Sequence, residues 1–103
     1  MVDFGTPIGH EQGYRRPAVV VSDDHLNLSR AGLVIVVPIT TTRRALPSHI
    51  ELEPGVSGLS ATSYAKGEDL KSVSRLRLTR RLGGVGEDRL ASLDQVIRLL
   101  LHL

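Results

Sequence analysis

Cysteine and tryptophan are both missing from this 103-residue chain, and its only aromatic side chains are Phe4, Tyr14 and Tyr64. Without cysteine there is no disulfide, no thiolate nucleophile and no thiolate metal site, which suits a reducing compartment. So few aromatics exclude base stacking on the scale of aromatic-rich nucleic-acid binders. No stretch approaches the roughly 20 apolar residues that span a bilayer. Met1-Val2-Asp3-Phe4 carries no basic segment leading into an apolar run, so a signal peptide is not expected either. The cytoplasm is the default location. A large excess of one charge is also lacking: thirteen Lys and Arg against eleven Asp and Glu leave a net charge of +2, too little for bulk attraction to nucleic acid. The four histidines, His10, His25, His49 and His102, do not fall at metal-ligand spacing. Neither a metal nor a cofactor is expected, and His49, beside Pro47 and Ser48, is expected at the surface. There is no Gly-x-Ser-x-Gly elbow, and Gly83-Gly84-Val85-Gly86 lacks the lysine and strand-to-helix setting of a P-loop.

What the chain does have is arginine, which supplies eleven of its thirteen basic residues. Arginine suits bidentate contact with phosphate. Arg15 and Arg16, Arg43 and Arg44, and Arg75, Arg77, Arg80 and Arg81 form tight groups. An ordinary charged surface laced with acids explains them as well, so a basic cleft needs support from another feature.

The length leaves room for one core, and residues 1–103 are expected to form a single domain. Met1–Phe4 reads as the end of a strand, followed by a glycine- and proline-punctuated loop. Arg16-Pro17 leads into the β-branched run Ala18–Ser22. Leu33–Thr40 is apolar on both faces and belongs at the centre of a sheet, with Pro38 predicting a bulge or lost pairing. That strand end places Thr40, Thr41 and Thr42 at the mouth of the core, with Arg43 and Arg44 next. His49–Glu53 alternates as a half-exposed strand. Thr62–Lys66 and Leu70–Val73 are further strand candidates, Ser74–Leu78 a helical turn, and Leu82 a last short strand ending at Gly83-Gly84. Glu87–Leu101 is a helix with acids in its first turn. Its C-terminal half is apolar nearly all round, so more than one side must be covered, and a second subunit is expected there. The pattern describes a small barrel with a C-terminal helix.

The run Gly9-His10-Glu11-Gln12-Gly13-Tyr14-Arg15-Arg16-Pro17 gathers an imidazole, a carboxylate, an amide, a phenol and two guanidiniums just before a core strand. A plain surface loop accounts for it when taken alone. Together with Val2-Asp3-Phe4, Arg16-Pro17-Ala18-Val19-Val20-Val21-Ser22 and Val37-Pro38-Ile39-Thr40, it resembles the MazF/PemK-like ribonuclease toxins of bacterial toxin–antitoxin pairs. Their pattern is a first-strand aspartate, a Gly-Ser-Glu-Gln loop, Arg-Pro before an apolar strand, and a Val-Pro-Ile-Thr strand end. A later Asp-Gln-Ile-Arg-Thr-Val-Ser pattern falls on Glu68-Asp69-Leu70-Lys71-Ser72-Val73-Ser74, and Leu82-Gly83 and the final helix fit as well.

The resemblance implies a mainly β fold with a C-terminal helix, a small SH3-like β-barrel of the MazF/PemK and CcdB type. It further implies a homodimer that cleaves single-stranded RNA without a metal, leaving 2′,3′-cyclic phosphate and 5′-hydroxyl ends, and that binds a cognate, acidic antitoxin. Arg16 and Thr40 map to the catalytic positions and Glu11 to a secondary one. His10 stands where relatives have serine, and its role stays open between proton donor, specificity contact and neutral substitution. RNA contacts are expected from Gln12, Arg15, Thr41, Arg43, Arg44 and Lys71. Two departures stand out. Relatives carry a lead segment before the first-strand aspartate, so the native chain is expected either to start upstream of Met1 or to form a trimmed barrel. Asp69 also replaces a glutamine, adding negative charge near the groove. A catalytically silent nucleic-acid-binding barrel and an antitoxin- or peptide-binding module are the alternative readings.

Overall fold

The computed structural model of the chain describes residues 1–5 and 15–103. Seven strands and two helices follow in order: β1 (Val2–Asp3), β2 (Arg15–Arg16), β3 (Ala18–Val20), α1 (Asp24–Asn27), β4 (Leu33–Thr40), β5 (His49–Leu52), β6 (Ser63–Lys66), β7 (Lys71–Ser74) and α2 (Glu87–Leu101). Single 3₁₀ turns lie at Gly67–Asp69 and Arg75–Arg77. The result is mainly β with a C-terminal helix, as the apolar patterning predicts. Among the described residues no helix is long and apolar enough to cross a membrane.

β4 organises everything else. Its eight residues are apolar up to Thr40, so neither face tolerates water, and both are covered. Val37 and Ile39 join Val19, Leu52, Ala65 and Leu93 of α2 in one cluster. Val34 and Val36, on the other face, pack with Val2 and Val73, flanked by Phe4, Ala18 and Leu78. β3 pairs antiparallel along one edge, from Ala18↔Pro38 to Val20↔Val36. β7 and β6 share the opposite edge: β7 covers Leu33 to Val36, and β6 takes over at Ile39 and Thr40.

That change of partner accounts for Pro38. Ile39 donates its N–H to Pro17 O on the β3 side (3.0 Å), so the nitrogen of Pro38 points toward the β6/β7 edge. Its missing donor falls in the gap where β7 pairing has ended and β6 pairing has not begun. The strand therefore runs unbroken through the proline, with pairing absent on one edge only. At the turn in that gap, Gly67 is buried against α2, and an added Cβ would lie 2.8 Å from both Ser48 O and Val96 Cγ1.

The β1–β2 pair lies over the Val34/Val36 face, with Val2 opposite Arg16 and Asp3 opposite Arg15. Val2 also bridges to Leu78, and Thr79 donates to Met1 O (3.1 Å). No strand forms at Leu82. There Gly58 and Gly83 let two backbones approach so closely that a Cβ on Gly83 would sit 2.2 Å from Val56 O. That approach is held by the bond from Gly84 N to Val56 O (3.3 Å) rather than by a ladder. α2 buries Leu93 fully, whereas Leu99, Leu101 and Leu103 at its end stay exposed.

Candidate active site

Arg16 reaches its place because Pro17 joins β2 to β3 without leaving the extended conformation. The Pro17–Ile39 bond continues the β3–β4 register, and one further step sets Arg16 opposite Thr40. Residues opposed in this way share a face of the sheet. For both it is the face of Ala18 and Val36. Arg16 and Thr40 are each partly buried, while Arg15, Thr41, Arg43 and Arg44 are exposed. None of the four arginines forms an ion pair with another described residue.

Thr40 is prepared as a donor. Its Oγ1 accepts the N–H of Thr42 (3.1 Å), which fixes the side chain and occupies one lone pair. A hydroxyl has one proton to give, and among the described residues nothing receives it. A guanidinium and a hydroxyl proton carried on facing strand ends are groups that can hold an anionic oxygen group from two sides.

Farther along, the start of β5 meets the 3₁₀ turn after β6 in a polar cluster. The Glu68 carboxylate accepts from Ser48 Oγ (2.8 Å) and faces His49 Nε2 (2.8 Å). The His49 side chain is only 2% exposed, which corrects the expected surface position: Ile50 turns toward α2, and on the other face of β5 His49 is held against Glu68 of the 3₁₀ turn. Its buried Nδ1 has no hydrogen-bond partner among the described residues. Partial burial pushes the Glu68 carboxyl up, but the bonds from His49 and Ser48 outweigh it and hold the group below its ordinary value of 4.5. A depressed carboxyl pKa stabilises the fold fully above that ordinary value and loses the contribution as pH falls through the folded one. The advantage of the native chain over Glu68→Gln in urea unfolding should therefore be present at pH 7 and fade below about pH 4.5. A gap unchanged between pH 7 and pH 3 would refute this role.

The chain matches, over residues 1–101, the model of the PemK-like, MazF-like toxins of type II toxin–antitoxin systems. It is a member of that family. It is 35% identical over 107 residues to endoribonuclease MazF9 of Mycobacterium tuberculosis, covering 99% of this chain and 91% of that protein. The crystal structure of MazF from Deinococcus radiodurans superposes with a TM-score of 0.79 at 30% identity, over 99% of this chain and 90% of that one. A MazE–MazF crystal structure from the same organism gives a TM-score of 0.79 at 30% identity, with coverages of 99% and 89%.

Within this MazF-like fold, the residues expected to act divide into three groups. Arg16 and Thr40 fall at neighbouring strand ends and are partly buried, and Arg15, Thr41, Arg43 and Arg44 beside them in the chain are exposed. Lys71 lies on the same face, but opposite Val36 and with its ammonium 5.0 Å from the centre of the Phe4 ring. Four residues of β4 separate it from the Thr40 position, roughly 13 Å, so it suits a different phosphate from the one at Arg16. His10, Glu11 and Gln12 lie outside the described residues. Two residues that sequence reasoning missed, Tyr64 and Glu51, share the Thr40 row through the β4–β6–β5 register. The alternation of Ser63–Lys66 and His49–Leu52 was a usable signal for their face, though not for their partners.

Proposed function

We propose that this toxin-family chain is a sequence-specific endoribonuclease that cleaves single-stranded RNA without a metal, as the toxin of a toxin–antitoxin pair. The reading is supported by the β3–β4 register, which extended past the Pro17–Ile39 bond leads from Arg16 to Thr40, and by the Thr40 hydroxyl proton that is left to donate.

The substrate's own 2′-hydroxyl attacks the adjacent phosphorus. The O2′–P bond forms as the P–O5′ bond breaks, the 2′ proton leaves to a base, and the departing O5′ takes a proton. The products are a 2′,3′-cyclic phosphate and a 5′-hydroxyl. No protein nucleophile is needed. Arg16 makes paired, charge-assisted bonds to the phosphorane oxygens as negative charge builds there. Thr40 donates to a second oxygen and holds the phosphate in line. Glu11, secondarily, and His10 are the loop groups proposed for the proton transfers, a task suited to a pKa near ambient pH. Gln12, Arg15, Thr41, Arg43 and Arg44 hold the strand near the cut, and Lys71 a phosphate farther along it. Recognition of this kind rests on backbone phosphates and splayed bases.

Residues 1–103 act as one domain in the cytoplasm, paired with a second copy that covers the exposed leucines ending α2, and bound by a cognate antitoxin. The antitoxin assignment is supported by the MazE–MazF structure of the Deinococcus radiodurans relative.

Long RNA of defined sequence incubated in EDTA is the test. Discrete cuts at a short recurring motif are expected. Loss of all cleavage on chelation would overturn the metal-free reaction, and salt-dependent binding without any cutting would favour a silent RNA-binding barrel.

A further inference from the structure

Thr40 stands in a row with two other side chains. It faces Tyr64 across β4–β6, and Tyr64 faces Glu51 across β6–β5. Directly opposed residues of antiparallel strands share a face, their Cβ atoms about 4.5–5.5 Å apart. The opposite face of these strands is sealed by Ile39, Ala65, Ile50 and Leu52 against Leu93. Phenol and carboxylate therefore emerge on the same side as the Thr40 hydroxyl. Tyr64 is half-buried and Glu51 exposed. Among the described residues neither side chain has a hydrogen-bond or ion-pair partner; the nearby acids Glu68 and Asp69 are instead engaged by His49, Ser48 and Lys66.

A carboxylate beside a bound polyanion is repelled at short range. Glu51 escapes that conflict by its distance. Two strand spacings, about 9–10 Å, separate it from Thr40, which places it past the phosphate and within reach of the base edge of a bound nucleotide. There a carboxylate meets N–H donors instead of phosphate oxygens. Tyr64, between the two, offers a flat apolar surface on which that base can stack. Two acceptor oxygens side by side match a base with two adjacent donors. Guanine has that pair, at N1 and the 2-amino group. Adenine and cytosine show one amino group beside an acceptor, and uracil one N–H between carbonyls.

We propose that Tyr64 and Glu51 form a guanine subsite beside the scissile phosphate and set the base specificity of the cut. This rests on the reading of the site as one for single-stranded RNA. The test uses short 2′-O-methyl oligoribonucleotides, which cannot be cleaved through a 2′ oxygen. A guanine is walked along an otherwise constant uridine sequence, then replaced by inosine, which keeps N1–H but lacks the 2-amino group. At one position the full chain should bind guanine about tenfold more tightly than inosine. The isosteric, surface-exposed change Glu51→Gln should abolish that difference. Tyr64→Val should weaken binding of the guanine oligonucleotide about tenfold, and Tyr64→Phe should retain it. The proposal falls if no position prefers guanine, or if the preference survives Glu51→Gln. Cleavage of ordinary RNA by the same preparations separates the two readings. Cutting without guanine preference overturns the subsite alone, whereas guanine preference without cutting overturns the nuclease alone.

Discussion

Replacing Arg16 by alanine is expected to slow RNA cleavage about 10²–10³-fold, a loss of roughly 3–4 kcal/mol of transition-state stabilisation. The size follows from what the guanidinium does when charge concentrates on the oxygens around phosphorus. In the proposed mechanism two parallel N–H bonds meet that charge from one planar group, so little reorganisation is needed. Lysine should rescue poorly, because a point charge cannot form the paired contact. The fold should survive the alanine change: Arg16 makes no ion pair with a described residue, and its pairing with Val2 runs through backbone. Thr40→Val should also slow the reaction, since it keeps the shape and removes the proton, while Thr40→Ser should retain most activity. Single-turnover cleavage rates beside thermal midpoints would check this. A well-folded Arg16→Ala protein that cuts at the native rate would remove Arg16 from the mechanism.

Leu93→Ala is expected to cost about 2–5 kcal/mol of stability. Leu93 is 1% exposed and is the residue through which α2 enters the cluster of Val19, Val37, Ile39, Leu52 and Ala65. Truncation there removes apolar area and leaves a cavity under the sheet that carries Thr40. Against a typical total of about 5–15 kcal/mol, that is a large fraction. At about 4–8 °C for each kcal/mol, the midpoint of thermal unfolding should drop by about 8 °C or more. Leu99, 78% exposed on the same helix, provides the contrast: Leu99→Ala should shift stability by no more than about 0.5 kcal/mol in the isolated chain. A large Leu99→Ala effect that grows with protein concentration would report a second copy over the helix end. Equal effects at both positions in dilute protein would contradict the anchoring described.

The elements that dominate the energy were also the ones most legible from residues alone. Leu33–Thr40 could only be a central strand, because an apolar run on both faces has no other stable place. Glu87–Leu101 carried its helix in its periodicity and in the acids of its first turn. Leu82 looks like a strand in the sequence and is not one, because the close approach of Gly58 and Gly83 depends on segments far apart in the chain. Pro38 was half legible: the missing donor follows from the residue, but the partner change that makes it harmless belongs to the topology. His49 shows the same limit, since its burial goes with a contact to Glu68, nineteen residues away in the chain. Arg16 and Thr40 could be nominated through their motifs. Their pairing, and the row that adds Tyr64 and Glu51, required the strand register, which residue patterns leave open when strands are four residues long.

In the proposed mechanism the RNA supplies its own nucleophile while Arg16 and Thr40 stabilise charge at phosphorus. The most direct measurement uses an RNA cut at one mapped site and the same RNA with a single 2′-deoxynucleotide immediately 5′ to that bond. The predicted result is clean cutting of the first, with 2′,3′-cyclic phosphate and 5′-hydroxyl ends, and none of the second at that position, although both bind equally. Continued cleavage at the deoxy position would require a nucleophile from water or protein and would contradict the account.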